Sequence, residues 1–61
     1  MNTKKVLQLL SERDITQRDL AKKVGVSEAF MSYILKGYKT PSIMVLKRMA
    51  ECLCVTVDEL I

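Results

Sequence analysis

Residues 16–35, TQRDLAKKVGVSEAFMSYIL, decide the fold of this chain. Thr16 is a favourable N-cap and Asp19 follows it at the capping-box position, so a helix is predicted to begin here. Gly25 stands where a helix end needs a residue that tolerates positive φ. Ser27 is the next favourable N-cap. The stretch therefore predicts two short helices joined by a tight turn.

The residue sizes in this stretch suit two helices that cross closely. Ala21 is small, as a close crossing requires, and Gly25 lets the chain turn sharply. A short helix, a glycine-containing turn and a second short helix make up the helix-turn-helix arrangement. The apolar side chains predicted to fill the crease between the two helices are Leu20, Val24, Val26, Met31 and Ile34.

Helical spacing also recurs on both sides of this unit, and no convincing strand alternation appears. We expect a first helix at about 3–13, a fourth at about 43–53 capped by Ser42, and a short last helix within 55–61 that starts near Thr56. The side chains predicted to face inward are Val6, Leu7, Leu10, Ile15, Leu46, Met49, Ala50, Leu53, Val57, Leu60 and Ile61. The predicted fold is all-α, a compact bundle of four to five short helices forming one domain over residues 1–61.

The composition excludes several classes of protein. A chain of 61 residues has room for one domain with a small core. No apolar run approaches the ~18 residues that span a bilayer, and no secretion signal precedes the first helix. There is no His and no glycine-rich phosphate loop, and Cys52 and Cys54 lack further soft ligands for zinc. We expect a cytoplasmic protein that is not an enzyme, with no cofactor, no metal, no small-molecule ligand and no membrane contact.

The charge is unevenly distributed along the chain. All ten Lys and Arg residues lie between Lys4 and Arg48, where there are only four acids, so this part carries +6. The tail from Met49 onward has three acids and carries −3. A basic body suits a polyanionic partner such as nucleic acid, although lysine-rich helix faces are also common as plain solvated surface. Charge alone leaves both interpretations open.

Four segments form a pattern that is specific in combination. They are Thr16-Gln17-x-x-Leu20-Ala21-x-x-Val24-Gly25-Val26-Ser27, Ile34-x-x-Gly37, Pro41-Ser42 and Leu53-x-Val55-x-Val57-Asp58-Glu59-Leu60. Together they resemble the Cro/CI-type phage-repressor helix-turn-helix family over nearly the whole chain. The resemblance implies a lambda-repressor-like DNA-binding domain in which residues 27–35 are the recognition helix, lying in the major groove.

By this resemblance, four outward-facing side chains of the recognition helix are candidates for contacts with base edges. A carboxylate can accept from the cytosine amino group, and an alanine methyl can pack on the thymine methyl. None of the four is Arg, Asn or Gln, the strongest base readers. Phe30 either pads the domain or lies against the sugar edge of the DNA, with the first placement favoured. The four candidates are Glu28, Ala29, Ser32 and Tyr33.

The residues expected to contact phosphates surround this helix. Gln17 begins the second helix, where its side chain and the free backbone N–H groups can meet a phosphate, and the matching Gln does so in the family. The full set of phosphate candidates is Gln17, Arg18, Ser27, Lys36, Lys39, Thr40 and Ser42. The cations interpreted as solubility charges are Lys4, Lys5, Lys47 and Arg48.

The sequence departs from the family pattern at three positions. Many relatives carry a buried Arg–Glu pair where Leu10 and Leu35 stand, and such pairs are replaceable by apolar residues, so we predict that these two leucines touch. Relatives have Gly where Cys54 stands. A positive φ at Cys54 would store strain on the order of 1 kcal/mol.

The leading hypothesis is a transcriptional repressor of a phage or mobile element, associated with the prokaryotic nucleoid. It binds a double-stranded DNA operator as a homodimer on half-sites about one helical turn apart, and another regulatory protein can be a further partner. The loop before the fourth helix and the segment around Val57 and Ile61 are candidate dimer surfaces. The alternative is a protein-interaction module on the same fold, which Glu28, Phe30 and Met44 favour.

Overall fold

The computed structural model describes residues 1–61 and contains five helices. They are α1 (Thr3–Glu12), α2 (Gln17–Val24), α3 (Glu28–Leu35), α4 (Ile43–Leu53) and α5 (Val57–Leu60). Helix α2 packs against α3 and α4, while α1 contacts α3 and α5, within dimensions of 22 × 22 × 18 Å. None of the helices has the length and apolar character needed to cross a bilayer. The predicted all-α bundle is confirmed.

Helices α2 to α5 begin where the sequence predicts them to begin, and α1 is capped by Asn2, which was not predicted. Four cap side chains accept the backbone N–H three residues ahead at 3.0–3.3 Å, those of Asn2, Thr16, Ser27 and Ser42. At α5 the backbone N–H of Thr56 donates to the Glu59 carboxylate at 2.8 Å. Because a good N-cap stabilises a helix by about 1 kcal/mol, local signals alone fix the starts of these short helices.

The first four helices all end in a left-handed residue. Gly25 and Gly37 supply it for α2 and α3, at φ 87° and 82°. Cys54 supplies it for α4 at φ 58°, so the strain considered for this position is present, and Asp14 supplies it for α1 at φ 57°. The backbone N–H after each such residue bonds back into the last turn, as from Val55 to the Ala50 carbonyl at 3.0 Å. Each connection is thus short and fixed.

Two of the predicted core positions are wrong. Leu7 is 48% exposed, and Leu9 is buried in its place, because Val6, Leu9 and Leu10 follow the i, i+3, i+4 spacing that defines one helix face. Ile61 is 71% exposed because it lies beyond the last turn of α5, and only Leu60 is wholly buried there. Helix α1 therefore presents a different apolar face to the core from the one expected, and Ile61 does not contribute to the core.

The buried cluster of 13 side chains joins all five helices. Leu10 and Leu35 are each 5% exposed and both belong to it, so the positions of the family's ion pair are apolar and buried in this chain. Ala21 is also buried in the cluster, as its small size predicts. Ile15 is only half-buried but packs against the cluster. The core holds α2 and α3 in a fixed crossing.

Candidate nucleic-acid interface

Helix α3 has one buried face and one face open to solvent. Met31 and Ile34 are almost completely buried, which anchors the helix to the rest of the bundle. Of the four candidate base readers, Ser32 is half-buried and the other three are exposed, namely Glu28, Ala29 and Tyr33. The backbone therefore places all four on accessible surface of a single rigid helix. The accessible face carries one carboxylate, two hydroxyls and a methyl group.

Phe30 lies at the edge of α3, and the favoured placement in the core is wrong. It is half-buried but belongs neither to the core cluster nor to the residues packed against that cluster. The Lys39 ammonium lies 5.8 Å from the centroid of its ring. A cation over an aromatic ring in an exposed setting is stabilised by about 0.5–1 kcal/mol. The ring thus helps to hold the Lys39 charge beside the open face of α3.

The loop after α3 folds back onto the last turn of that helix. The backbone N–H groups of Tyr38 and Lys39 both donate to the Tyr33 carbonyl, at 2.9 and 3.3 Å. The Tyr33 and Tyr38 rings are 6.2 Å apart between centroids and tilted by 43°. Tyr38 therefore adds an exposed aromatic side chain next to a candidate base reader. Tyr38 was not among the predicted contact residues, although Gly37 after a helix signals this kind of return.

The candidate phosphate contacts lie around α3 on several elements. Gln17 is the first residue of α2 and is half-buried. The hydroxyls of Ser27 and Ser42 each accept a backbone N–H, which leaves their own hydrogen free to donate to a phosphate oxygen. The remaining candidates are exposed side chains, those of Arg18, Lys36, Lys39 and Thr40. The structure thus leaves all seven residues accessible in whole or in part.

An open groove of about 240 Å³ lies where α2 meets the start of α3. Arg18 and Lys22 of α2 and Glu28 of α3 supply its polar lining, and Ala21 and Val26 its apolar part. Arg18 and Lys22 are one helical turn apart and share a face of α2. This groove brings cationic side chains next to the candidate base reader Glu28.

Arg48 is exposed at the surface, but it is hydrogen-bonded to another helix, which corrects its interpretation as a solubility charge only. Its Nη1 donates to the carbonyl oxygen of Val24 at 3.1 Å, at the C-terminal end of α2. Cations at this end of a helix are stabilised by the free carbonyls and by the helix dipole. The bond joins residues 24 positions apart. No local sequence signal reports such a pairing.

A family comparison agrees with this geometry. The family model described as helix-turn-helix matches residues 4–60. No curated protein and no solved structure matches the chain. The match spans α2, the turn and α3 together with the helices on both sides. The chain belongs to the helix-turn-helix family of the Cro/CI type, a family of DNA-binding regulatory domains.

Proposed function

We propose that this chain is a sequence-specific double-stranded DNA-binding transcriptional repressor of a phage or mobile element. It acts as a homodimer, with residues 1–61 of each copy forming one domain that reads half of an operator. It works in the cytoplasm of a prokaryote, at the nucleoid. Occupancy of a promoter by the dimer blocks transcription.

The accessible face of α3 carries this proposal. Met31 and Ile34 fix the helix to the core, so the face with Glu28, Ala29 and Tyr33 is held rigidly outward. A rigid helix with its N-terminal residues exposed is what docking in the major groove requires. The carboxylate of Glu28 suits the amino group of cytosine, and the Ala29 methyl suits the methyl group of thymine.

The charged and capping residues around α3 support a phosphate-anchoring role. Lys36 and Lys39 follow α3 directly, and Lys39 is held over the Phe30 ring at 5.8 Å. The N-terminal ends of α2 and α4, at Gln17 and Ser42, provide backbone N–H groups for phosphate oxygens. In this proposal cations position the protein on DNA, and the outward face of α3, whose one charge is the Glu28 carboxylate, reads the bases.

Dimerisation is proposed because one copy is small compared with an operator. The longest dimension of the domain is 22 Å, whereas half-sites lie about 34 Å apart from centre to centre. Ile43 and Met44 at the start of α4 are 65% and 62% exposed, and Ile61 is also exposed. Ile43 and Met44 directly follow the loop before α4, and Ile61 belongs to the C-terminal segment, so these apolar side chains adjoin or belong to the two candidate dimer surfaces.

The second candidate function is a protein-interaction module. The exposed Ile43 and Met44 favour it, because exposed apolar side chains in a group often mark contacts with other proteins. The Glu28 carboxylate also repels the DNA backbone. An interaction module would show little binding to duplexes at any salt concentration, whereas a DNA-binding regulator shows affinity that falls steeply with salt.

Selection of bound duplexes from a random library tests the proposal. The expected result is an enriched motif with two symmetric halves about one helical turn apart. The affinity for the selected duplex should exceed that for a scrambled duplex by about a thousandfold or more. Absence of enrichment, together with binding that does not depend on salt, would contradict the proposal and favour the interaction module.

A further inference from the structure

We propose that Arg48 is a positioning residue that sets the sequence discrimination of α3 without touching DNA. This inference rests on the proposed DNA-binding function. The observation behind it is the 3.1 Å hydrogen bond from Arg48 Nη1 to the Val24 carbonyl. It is the only side-chain hydrogen bond in the structure between residues more than three positions apart.

The bond ties α4 to the point where α2 turns towards α3. Val24 is the last residue of α2, and the left-handed Gly25 follows at φ 87°. The backbone N–H groups of Gly25 and Val26 both donate to the Ala21 carbonyl, at 2.9 and 3.0 Å. The turn is therefore bonded to the last turn of α2 and moves with it. By holding Val24, Arg48 holds the turn as well.

The position of the turn decides where the first base readers of α3 lie. Only residues 25–27 separate α2 from α3, and Ser27 caps α3 immediately before Glu28 and Ala29. A displacement of the α2 end is thus passed to these two side chains. Hydrogen bonds to base edges demand precise geometry, while long cationic side chains follow phosphates over a wider range. Loss of the Arg48 bond should therefore weaken discrimination more than general affinity.

Arg48 is an exposed side chain, but one nitrogen of its guanidinium is hydrogen-bonded within the protein. Its guanidinium faces the carbonyl end of α2, which carries partial negative charge. A phosphate contact would instead make Arg48 contribute to counterion release on binding. The two roles differ in a measurable quantity, because only a phosphate contact changes the slope of log affinity against log salt.

Arg48→Ala tests the inference, with Lys47→Ala as the matched control. Lys47 is the neighbouring exposed cation on α4, so both variants lose one positive charge from the same helix. The readout is the ratio of the affinities for a selected and a scrambled duplex, measured over a range of salt concentrations. We expect Arg48→Ala to lower this ratio about tenfold, the size of one lost base contact, with the salt slope unchanged. Lys47→Ala should leave the ratio unchanged.

Arg48→Lys and a measurement of the folded fraction together distinguish a loss of positioning from a loss of folded protein. The Lys ammonium can donate to the same carbonyl, so this variant should restore the ratio to within about threefold of the unmodified chain. Circular dichroism at the assay temperature gives the folded fraction by which each affinity is corrected. If Arg48→Ala and Lys47→Ala have the same ratio of affinities for the selected and scrambled duplexes, the inference is overturned. It is also overturned if Arg48→Ala binds both duplexes more weakly by the same factor and has a shallower salt slope. If the unmodified chain does not discriminate between the duplexes, both the inference and the proposed function fail.

Discussion

Arg48 Nη1 and the carbonyl oxygen of Val24 are 3.1 Å apart, so α4 closes the C-terminal end of α2 from a position 24 residues further along the chain. The contact lies next to Gly25, where an added Cβ would meet Arg48 Nη1 at 3.4 Å. The turn of the helix-turn-helix unit is therefore bounded on one side by a guanidinium group. A side chain added at Gly25 would therefore lie beside this guanidinium group.

Gly25→Ala should lower the free energy of unfolding by about 1–2 kcal/mol, because an L side chain is strained at φ 87°. Gly37→Ala is the matched control, since its φ is 82° and an added Cβ there meets nothing within 4 Å. The distance of 3.4 Å at Gly25 is ordinary van der Waals contact, so the two losses should agree closely. Urea denaturation measures both. A loss at Gly25 that exceeds the loss at Gly37 by more than about 1 kcal/mol would contradict this expectation and show that the guanidinium cannot shift.

Cys54→Gly should stabilise the protein by about 0.5–1 kcal/mol, because glycine adopts φ 58° without the strain that Cys bears there. This corresponds to a rise in Tm of several degrees for a domain of about this size. Cys54→Ala keeps the strain and serves as the control, with little expected change. Asp14→Gly, at φ 57°, should gain less, because Asp tolerates the left-handed region better than Cys. A lower Tm for Cys54→Gly would show that the contacts of the Cys54 side chain stabilise the protein by more than the backbone strain destabilises it.

Lys39→Ala should weaken binding to selected and scrambled duplexes by the same factor and make the salt slope shallower by about one. The reason is that a phosphate contact carries no base information. Lys4→Ala, which removes an exposed cation from α1, is the control and should leave both affinity and slope nearly unchanged. Fluorescence anisotropy with labelled duplexes gives both quantities. If Lys39→Ala weakens the affinity for the two duplexes by different factors, the expectation is contradicted and Lys39 contributes to base reading.

The helix caps and helix ends could be predicted because the sequence signals for them lie within a few residues of each other. Thr16, Ser27 and Ser42 cap the helices they were predicted to cap, and the left-handed conformation of Gly25 was expected from its place at a helix end. Each of these features depends on hydrogen bonds or backbone conformation within a few residues. The helix order followed from them.

Contacts between distant residues did not follow in the same way. The Arg48–Val24 bond and the Lys39–Phe30 contact depend on where whole helices and loops come to lie, which no short pattern encodes. The wrong prediction that Leu7 rather than Leu9 is buried has a different cause. Helix α1 contains several leucines, so its sequence was compatible with more than one apolar face. The residues of the open face of α3 were predictable, but the position of the Phe30 ring outside the core was shown only by the tertiary structure.

A duplex selection repeated with Glu28→Ala shows whether the outward face of α3 reads bases. We expect the enriched motif to change at one position in each half-site, by about 1–3 kcal/mol in base preference, and to keep its other positions. Ala29 and Tyr33 stay in place as internal controls on the same face. An unchanged motif, or a uniform loss of affinity at all positions, would contradict the claim that Glu28 faces a base.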